Sequence, residues 1–264
     1  MNTPNANSFF LSSLSKKYFM AATGPFLIVF LIGHLSGNLQ LFLPGYEGKL
    51  QFNEYAVFMT TFPVVKILSY VTYFCIVFHI VDAILLTIQN RKARPQRYAY
   101  SRPDRNTNFS SRNMMVLGSL ILIFLGIHMY AFWAQYHWND QMPIMMHADG
   151  VSPLLKETSA AIKGGQVVGT DIVLNGEVMG PVMKDLHGIV MAAYQIWWVT
   201  AFYVLSMVVL GFHLWHGFAS GFQSLGLNHP RYMPILKKTG YAFAVIVPAL
   251  FAAIPLYIFF FVKP

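Results

Sequence analysis

Charge is what this chain has least of, and acidic charge least of all: Asp and Glu number 10 in 264 residues, and all charged residues together make up 11%. A soluble domain carries about 25%, so these side chains cannot clothe a solvated surface. Cysteine is nearly absent too. A single Cys75 excludes an internal disulfide and a four-thiolate iron–sulfur cluster. Its apolar surroundings make it a small buried hydrophobe. No glycine-rich dinucleotide fingerprint, internal repeat or low-complexity tract is present. A cleavable signal peptide is not expected either. Lys16 and Lys17 precede an apolar stretch, but that stretch is long, contains His34 and has no convincing cleavage site, so it reads as a retained first span.

What is abundant is hydrophobicity, at 56% of residues with a mean hydropathy of +0.50. Several apolar runs reach the roughly 20 residues that cross about 30 Å of hydrocarbon. The expected fold is an all-α integral membrane protein, one domain over 1–264. Its five spans are expected at about 19–43, 63–89, 113–138, 185–221 and 235–262. Pro248 and Pro255 fall inside the fifth and should bend it.

The formal charge of +8 does not indicate nucleic acid, because the basic residues lie in loops between spans. Lys16 and Lys17, then Arg91, Lys92, Arg94, Arg97, Arg102, Arg105 and Arg112, then Arg231, Lys237 and Lys238 share one side of a five-span chain. That side holds 12 of the 18 Lys and Arg residues. By the positive-inside rule it is the cytoplasm. The expected location is a bacterial cytoplasmic membrane, with the N-terminus cytoplasmic and the C-terminus, with Lys263, periplasmic. The long connection from His137 to Lys184 then lies outside. Its segments Gln166–Val168 and Asp171–Val178 suggest a small hairpin turning at Asn175-Gly176. Such a hairpin can cap the bundle mouth or shape a ligand site.

His34, His79, His128 and His213 each lie inside a different one of those spans. An ionisable, metal-binding side chain within a span needs a reason. Two neutral imidazoles can hold one haem iron, so four suggest two haems. The helical rise of 1.5 Å per residue puts His34 and His128 about 22 Å up from the inner surface, His79 roughly 15 Å and His213 roughly 12 Å. The pairs are therefore His34 with His128 on an outer level and His79 with His213 on an inner one. Such a pair of one-electron centres is a wire across the membrane. Gly33 and Gly37 around His34, Gly126 before His128, and Gly211 and Gly217 around His213 would let a macrocycle approach, although glycine also serves ordinary helix packing. His216 shares the face of His213 one turn on, as a rival ligand or a propionate or quinone contact. His187 sits at the outer start of the fourth span. His137, His147 and His229 lie at loops or edges. A metal-ion transporter would recruit intramembrane carboxylates, for which Asp82, one turn from His79, is the plain candidate.

The run Gly24-Pro25-Phe26 through Gly33-His34-Leu35-Ser36-Gly37-Asn38, and the later Phe212-His213-Leu214-Trp215-His216-Gly217-Phe218-Ala219-Ser220-Gly221-Phe222-Gln223, together with five spans, resemble the dihaem cytochrome b subunit of succinate:menaquinone oxidoreductases and fumarate reductases. The resemblance covers essentially the whole chain and is to the variety with one five-helix anchor. It implies two haems b, with His34 and His128 on the distal haem and His79 and His213 on the proximal one. The family's fourth-helix histidine stands four residues before a Gly and a bulky residue, which here favours His213, before Gly217-Phe218, over His216. It implies a flavoprotein partner holding FAD and an iron–sulfur partner docked on the cytoplasmic face, an assembly that can itself form homo-oligomers. The basic loop Arg91–Arg112 would form part of that docking face or contact anionic lipid.

The implied reaction carries electrons from succinate through the partners and both haems to a quinone, menaquinone by resemblance, or the reverse. Quinone reduction needs an acid near the outer haem. Glu54, about 20 residues after His34, takes that role by resemblance, with Glu47 and Asp185 as rivals. Two other readings stay open: the cytochrome b anchor of a hydrogenase or formate dehydrogenase, and a haem-free transporter or structural anchor.

Overall fold

A computed structural model describes residues 12–93, 105, 107–139, 141–146, 166–168, 171–174 and 177–262. Five of its helices are long and apolar enough to cross a membrane: Ser13–Phe42, Pro63–Lys92, Met114–Trp138, Trp197–Ser224 and Met233–Phe261. In hydrocarbon every backbone N–H and C=O needs an internal partner, and a continuous helix supplies one residue by residue. Large apolar side chains such as Val29, Ile67, Phe74, Val116, Leu205 and Phe260 stay exposed on these helices, as a lipid-facing surface requires.

In chain order, α1 is Ser13–Asn38, tightened into a 3-10 turn over Leu39–Phe42, and α2 is Gly45–Thr61. Pro63–Lys92 forms α3, Phe109–Arg112 the single turn α4, and Met114–His128 α5. A π-helical segment, Met129–Ala134, joins α5 to α6, Gln135–Trp138. After the strands come α7, Leu186–Tyr194, α8, Trp197–Ser224, and α9, Met233–Phe261.

The chain divides into two compact units, and each of the five long helices contributes to both. The first unit comprises residues 1–35, 67–123 and 205–252, and the second 36–66, 124–204 and 253–264.

In the first unit, prolines and glycines are matched. Pro25 inside α1 and Pro248 inside α9 leave the carbonyls of Ala21 and Ala244 without their helical donors. Gly221 of α8 faces Pro25 and Ala21 O, and Gly211 faces Ala244 O, where a methyl group would come within 3.0 Å. Glycine thus lets α8 approach both irregularities. The C-terminus of α8 is closed by Gly226 at φ 84°, with Leu227 N–H donating to Phe222 O and Gly226 N–H to Gln223 O.

The second unit holds a four-stranded antiparallel sheet in the order β1-β4-β3-β2, from Ile144–Met146, Gln166–Val168, Asp171–Leu174 and Glu177–Lys184. Leu174 pairs with Glu177, and the expected turn Asn175-Gly176 between them lies outside the described residues. The same unit contains α2, where the sequence suggested a loop. Its buried positions, Gly48, Phe52, Asn53 and Ala56, form one helical stripe that packs on α7.

The fourth span starts at Trp197, not near Asp185 as expected. The separate helix α7 precedes it, and the break at Gln195 is sealed by side chains. Thr200 Oγ1 donates to Tyr194 O at 2.7 Å, and Gln195 Nε2 donates to the carbonyls of Ile258 and Val262 at 2.9 and 2.6 Å, capping α9.

Candidate functional site

In the first unit the structure brings His79 of α3 and His213 of α8 together, with ring centroids 6.4 Å apart and planes at 64°. A methyl group built on Gly24 would stand 3.9 Å from His79 Cε1, and one on Gly118 3.8 Å from His213 Cε1, so a glycine lies beside each ring. Thr23 Oγ1 lies 2.9 Å from Phe19 O and 3.2 Å from Met20 O, and 3.1 Å from His79 Nδ1. With its single proton given to a carbonyl of its own helix, its oxygen is placed to accept from His79 Nδ1–H. In that tautomer His79 Nε2 carries the lone pair. His213 Nδ1 is buried and without a hydrogen-bond partner among the described residues, at a cost of about 1–3 kcal/mol unless another group meets it.

These observations can be tested against a haem. With a metal–nitrogen bond of about 2 Å and roughly 1.1 Å from that nitrogen to the ring centre, two imidazoles holding one iron between them would have centroids about 6.2 Å apart. The observed 6.4 Å fits. A ligand histidine normally donates its other N–H to an oriented acceptor, which Thr23 is. Of His213 and His216, the ring that meets His79 is His213; His216 is half-buried one turn on. Among the described residues no group of three or more His, Cys, Asp or Glu is arranged to hold a metal ion. A haem iron asks for only two protein ligands.

His34 is in the same unit, half-buried, stacked on Phe30 at 5.3 Å and beside Phe251 at 5.6 Å. No described atom lies within 4 Å of a methyl group built on Gly33. Asp82 is buried, with Oδ2 unpartnered among the described residues, and Lys16 is buried as well.

His128 belongs to the second unit. It stacks on Phe124 at 5.6 Å, meets Phe132 edge-on at 5.5 Å, and has Nδ1 3.3 Å from Tyr203 Oη. It ends α5 where the π-helical segment begins. The wider turn is a rare local geometry, frequent at functional sites. Gly126 also has no described atom within 4 Å of a built methyl group, whereas one on Gly37 would strike the Tyr55 ring at 2.5–2.9 Å. Gly37 therefore packs a helix against an aromatic ring. Gly217 has only ordinary contact with Met114, at 3.5 Å.

The second unit also buries a polar cluster. Lys49 Nζ meets Asp185 Oδ2 at 2.8 Å. Asn53, fully buried, donates from Nδ2 to Asp185 Oδ1 at 2.8 Å and to Met145 Sδ at 2.9 Å, and accepts the His187 backbone N–H at 2.9 Å. Asp185 Oδ1 also accepts Gly188 N–H, capping α7. Burial holds His187 below its ordinary 6.5, with Asp185 pulling it up and Lys49 pushing it down. Glu54 and Glu47 are exposed on α2. His137 donates from Nδ1 to Trp133 O, and His229 Nδ1 accepts Arg231 N–H. His147, Arg94, Arg97, Arg102 and Lys263 lie outside the described residues; Arg91, Lys92, Arg105 and Arg112 are exposed.

Sequence reasoning did not single out Thr23, Gly118, Tyr203, Lys49 or Asn53. The partners of Thr23 and Tyr203 lie 56 and 75 residues away, and no local pattern announces such a contact. Asn53 alone had a usable signal, standing with Lys49, Phe52 and Ala56 at helical spacing. No family model, characterised protein or solved structure matches the chain.

Proposed function

We propose that this membrane protein is a dihaem cytochrome b that carries electrons between the two sides of a bacterial cytoplasmic membrane, as the anchor subunit of a succinate:quinone oxidoreductase or fumarate reductase. The observation that carries the reading is the His79–His213 pair: two imidazoles 6.4 Å apart, with the Thr23 hydroxyl beside His79 Nδ1, are the residues that would hold one haem.

His79 and His213 would hold one haem, and His34 and His128 the other. Bound haem supplies reversible one-electron transfer. The chain's own residues orient the imidazoles and keep water from them. Thr23 holds His79 by hydrogen bonding. Phe30 and Phe251 pack His34, and Phe124, Phe132 and Tyr203 enclose His128. The motifs around His34 and His213 favour the succinate-linked family, and with it a flavoprotein and an iron–sulfur partner and a quinone, menaquinone by resemblance. Positive-inside charge favours a cytoplasmic N-terminus.

The test is co-purification followed by titration. The tagged chain should bring with it a flavin-bearing and an iron–sulfur subunit, and succinate should reduce its b-type absorption band. A chain that copurifies with a hydrogenase or formate dehydrogenase module, and ignores succinate, moves the assignment to that class. A chain with no b-type band is a transporter or a plain anchor.

A further inference from the structure

Three polar side chains in the second unit use their hydrogen-bonding atoms on one another, and the fourth does not. Lys49 is spent on Asp185. Both Asp185 oxygens are spent, on Lys49, Asn53 and Gly188. Asn53 bonds through both ends of its amide. His187 is 9% exposed, and its Nε2 is buried with no hydrogen-bond partner among the described residues. Native interiors seldom leave such an atom unmet.

The ring is also fixed in place. Asp185 caps the helix that begins at Leu186, Asn53 binds the His187 backbone N–H, and Phe52 meets the imidazole edge-on at 5.9 Å. On α7 the buried residues His187, Val190 and Tyr194 form one face, which is aromatic and apolar apart from the imidazole and the phenol. In the same unit α7 packs on α2 and on the π-helical segment after His128. Burial, with a smaller push from the Lys49 ammonium, holds the imidazole below its ordinary value and so favours its neutral form, against the pull of Asp185. An imidazole without positive charge is poorly suited to an anion, and with Asp185 already committed to Lys49, Asn53 and Gly188 it has, among the described residues, no second free ligand beside it to help hold a metal cation. It suits an uncharged ligand whose oxygen accepts a hydrogen bond in one state and donates one in another.

We propose that the Lys49–Asn53–Asp185–His187 cluster is the rigid wall of a binding site for a quinone ring, with His187 Nε2 as the hydrogen-bond partner of one carbonyl oxygen. The inference rests on the electron-transfer reading for its use, but not for its geometry. It gives the ring-binding role to a histidine on the helix next to α2, whereas Glu54, expected as the quinone-site acid, is exposed on the opposite side of α2 from the buried stripe. Asn53 and Asp185 act as positioning residues.

The experiment titrates 2,3-dimethyl-1,4-naphthoquinone into the purified chain in lipid nanodiscs and reads saturable quenching of tryptophan fluorescence. His187→Phe should weaken binding about tenfold, the worth of one buried hydrogen bond. His187→Gln, whose Nε2 can stand in for the imidazole nitrogen, should stay within about threefold of the parent. Infrared difference spectra of the unaltered chain give a second readout if His187→Phe does not fold: one carbonyl band of the bound naphthoquinone should be shifted down by hydrogen bonding. Binding that is unaffected by His187→Phe, or lost in Glu54→Gln alone, overturns the proposal, as does an unshifted carbonyl pair. The haem content of the same samples separates the two readings. No b-type band with binding through His187 removes the cytochrome and keeps this site, whereas normal haem with binding indifferent to His187 does the reverse.

Discussion

Replacing Thr23 with valine removes one oxygen and almost no volume. That oxygen is the acceptor for His79 Nδ1–H at 3.1 Å. In its place a methyl group faces a ring N–H in a half-buried site. A hydrogen bond of this kind contributes about 1 kcal/mol. The consequence for an iron-bound imidazole has a definite sign. An acceptor on Nδ1–H makes the opposite nitrogen a stronger donor, which favours the ferric state. Losing it should therefore raise the midpoint potential of the haem that we propose His79 and His213 hold. If between half and all of that free energy discriminates the two oxidation states, the rise is roughly 20–40 mV, since 59 mV is tenfold for one electron. The assay is redox titration of the b-type band in Thr23→Val and in the parent, with Thr23→Ser as a control that keeps the oxygen. Only one of the two potentials should move, and Thr23→Ser should leave both within about 10 mV. A fall in potential, or equal movement of both haems, refutes the assigned tautomer and the role of Thr23.

Further outcomes follow from the same geometry. On the proposed pairing, His213→Ala should lose one haem while His216→Ala keeps both, read as haem per chain. Gly37→Ala should cost about 1–3 kcal/mol in an unfolding assay, because its methyl group meets the Tyr55 ring, whereas Gly126→Ala in the haem-free chain should be neutral or stabilising. Lys49→Met, leaving Asp185 buried without its cation, should destabilise by about 3 kcal/mol, and the double change with Asp185→Asn should recover much of the loss. His187 has a folded pKa below its unfolded 6.5, so the unfolded chain binds the extra proton first. Stability should fall as pH drops below about 6.5 and level off below the folded value. His187→Gln should flatten that segment of the thermal-unfolding profile.

Five spans could be read from hydropathy alone because the bilayer's thickness imposes a length no soluble helix must meet. Counting 1.5 Å per residue from the span ends put His79 and His213 at nearly one level, and their rings lie 6.4 Å apart. What depended on partners distant in sequence stayed hidden. Nothing near Thr23 or Tyr203 reveals an imidazole 56 or 75 residues away. The helix α2 was missed because its exposed face carries Glu47, Gln51 and Glu54, and only a narrow stripe is buried. The break at Gln195 has no Gly or Pro to mark it. It is stabilised by Thr200 and by the α9 carbonyls instead, a tertiary solution that local sequence does not encode.

Haem stoichiometry tests the central claim most directly. The purified chain, assayed as the pyridine haemochrome, should contain two b-type haems per polypeptide, falling to one in His79→Ala and to none when His79 and His128 are both replaced. One haem in the unaltered chain, or a His79→Ala chain that keeps both, would contradict the pairing; no haem at all would contradict the cytochrome.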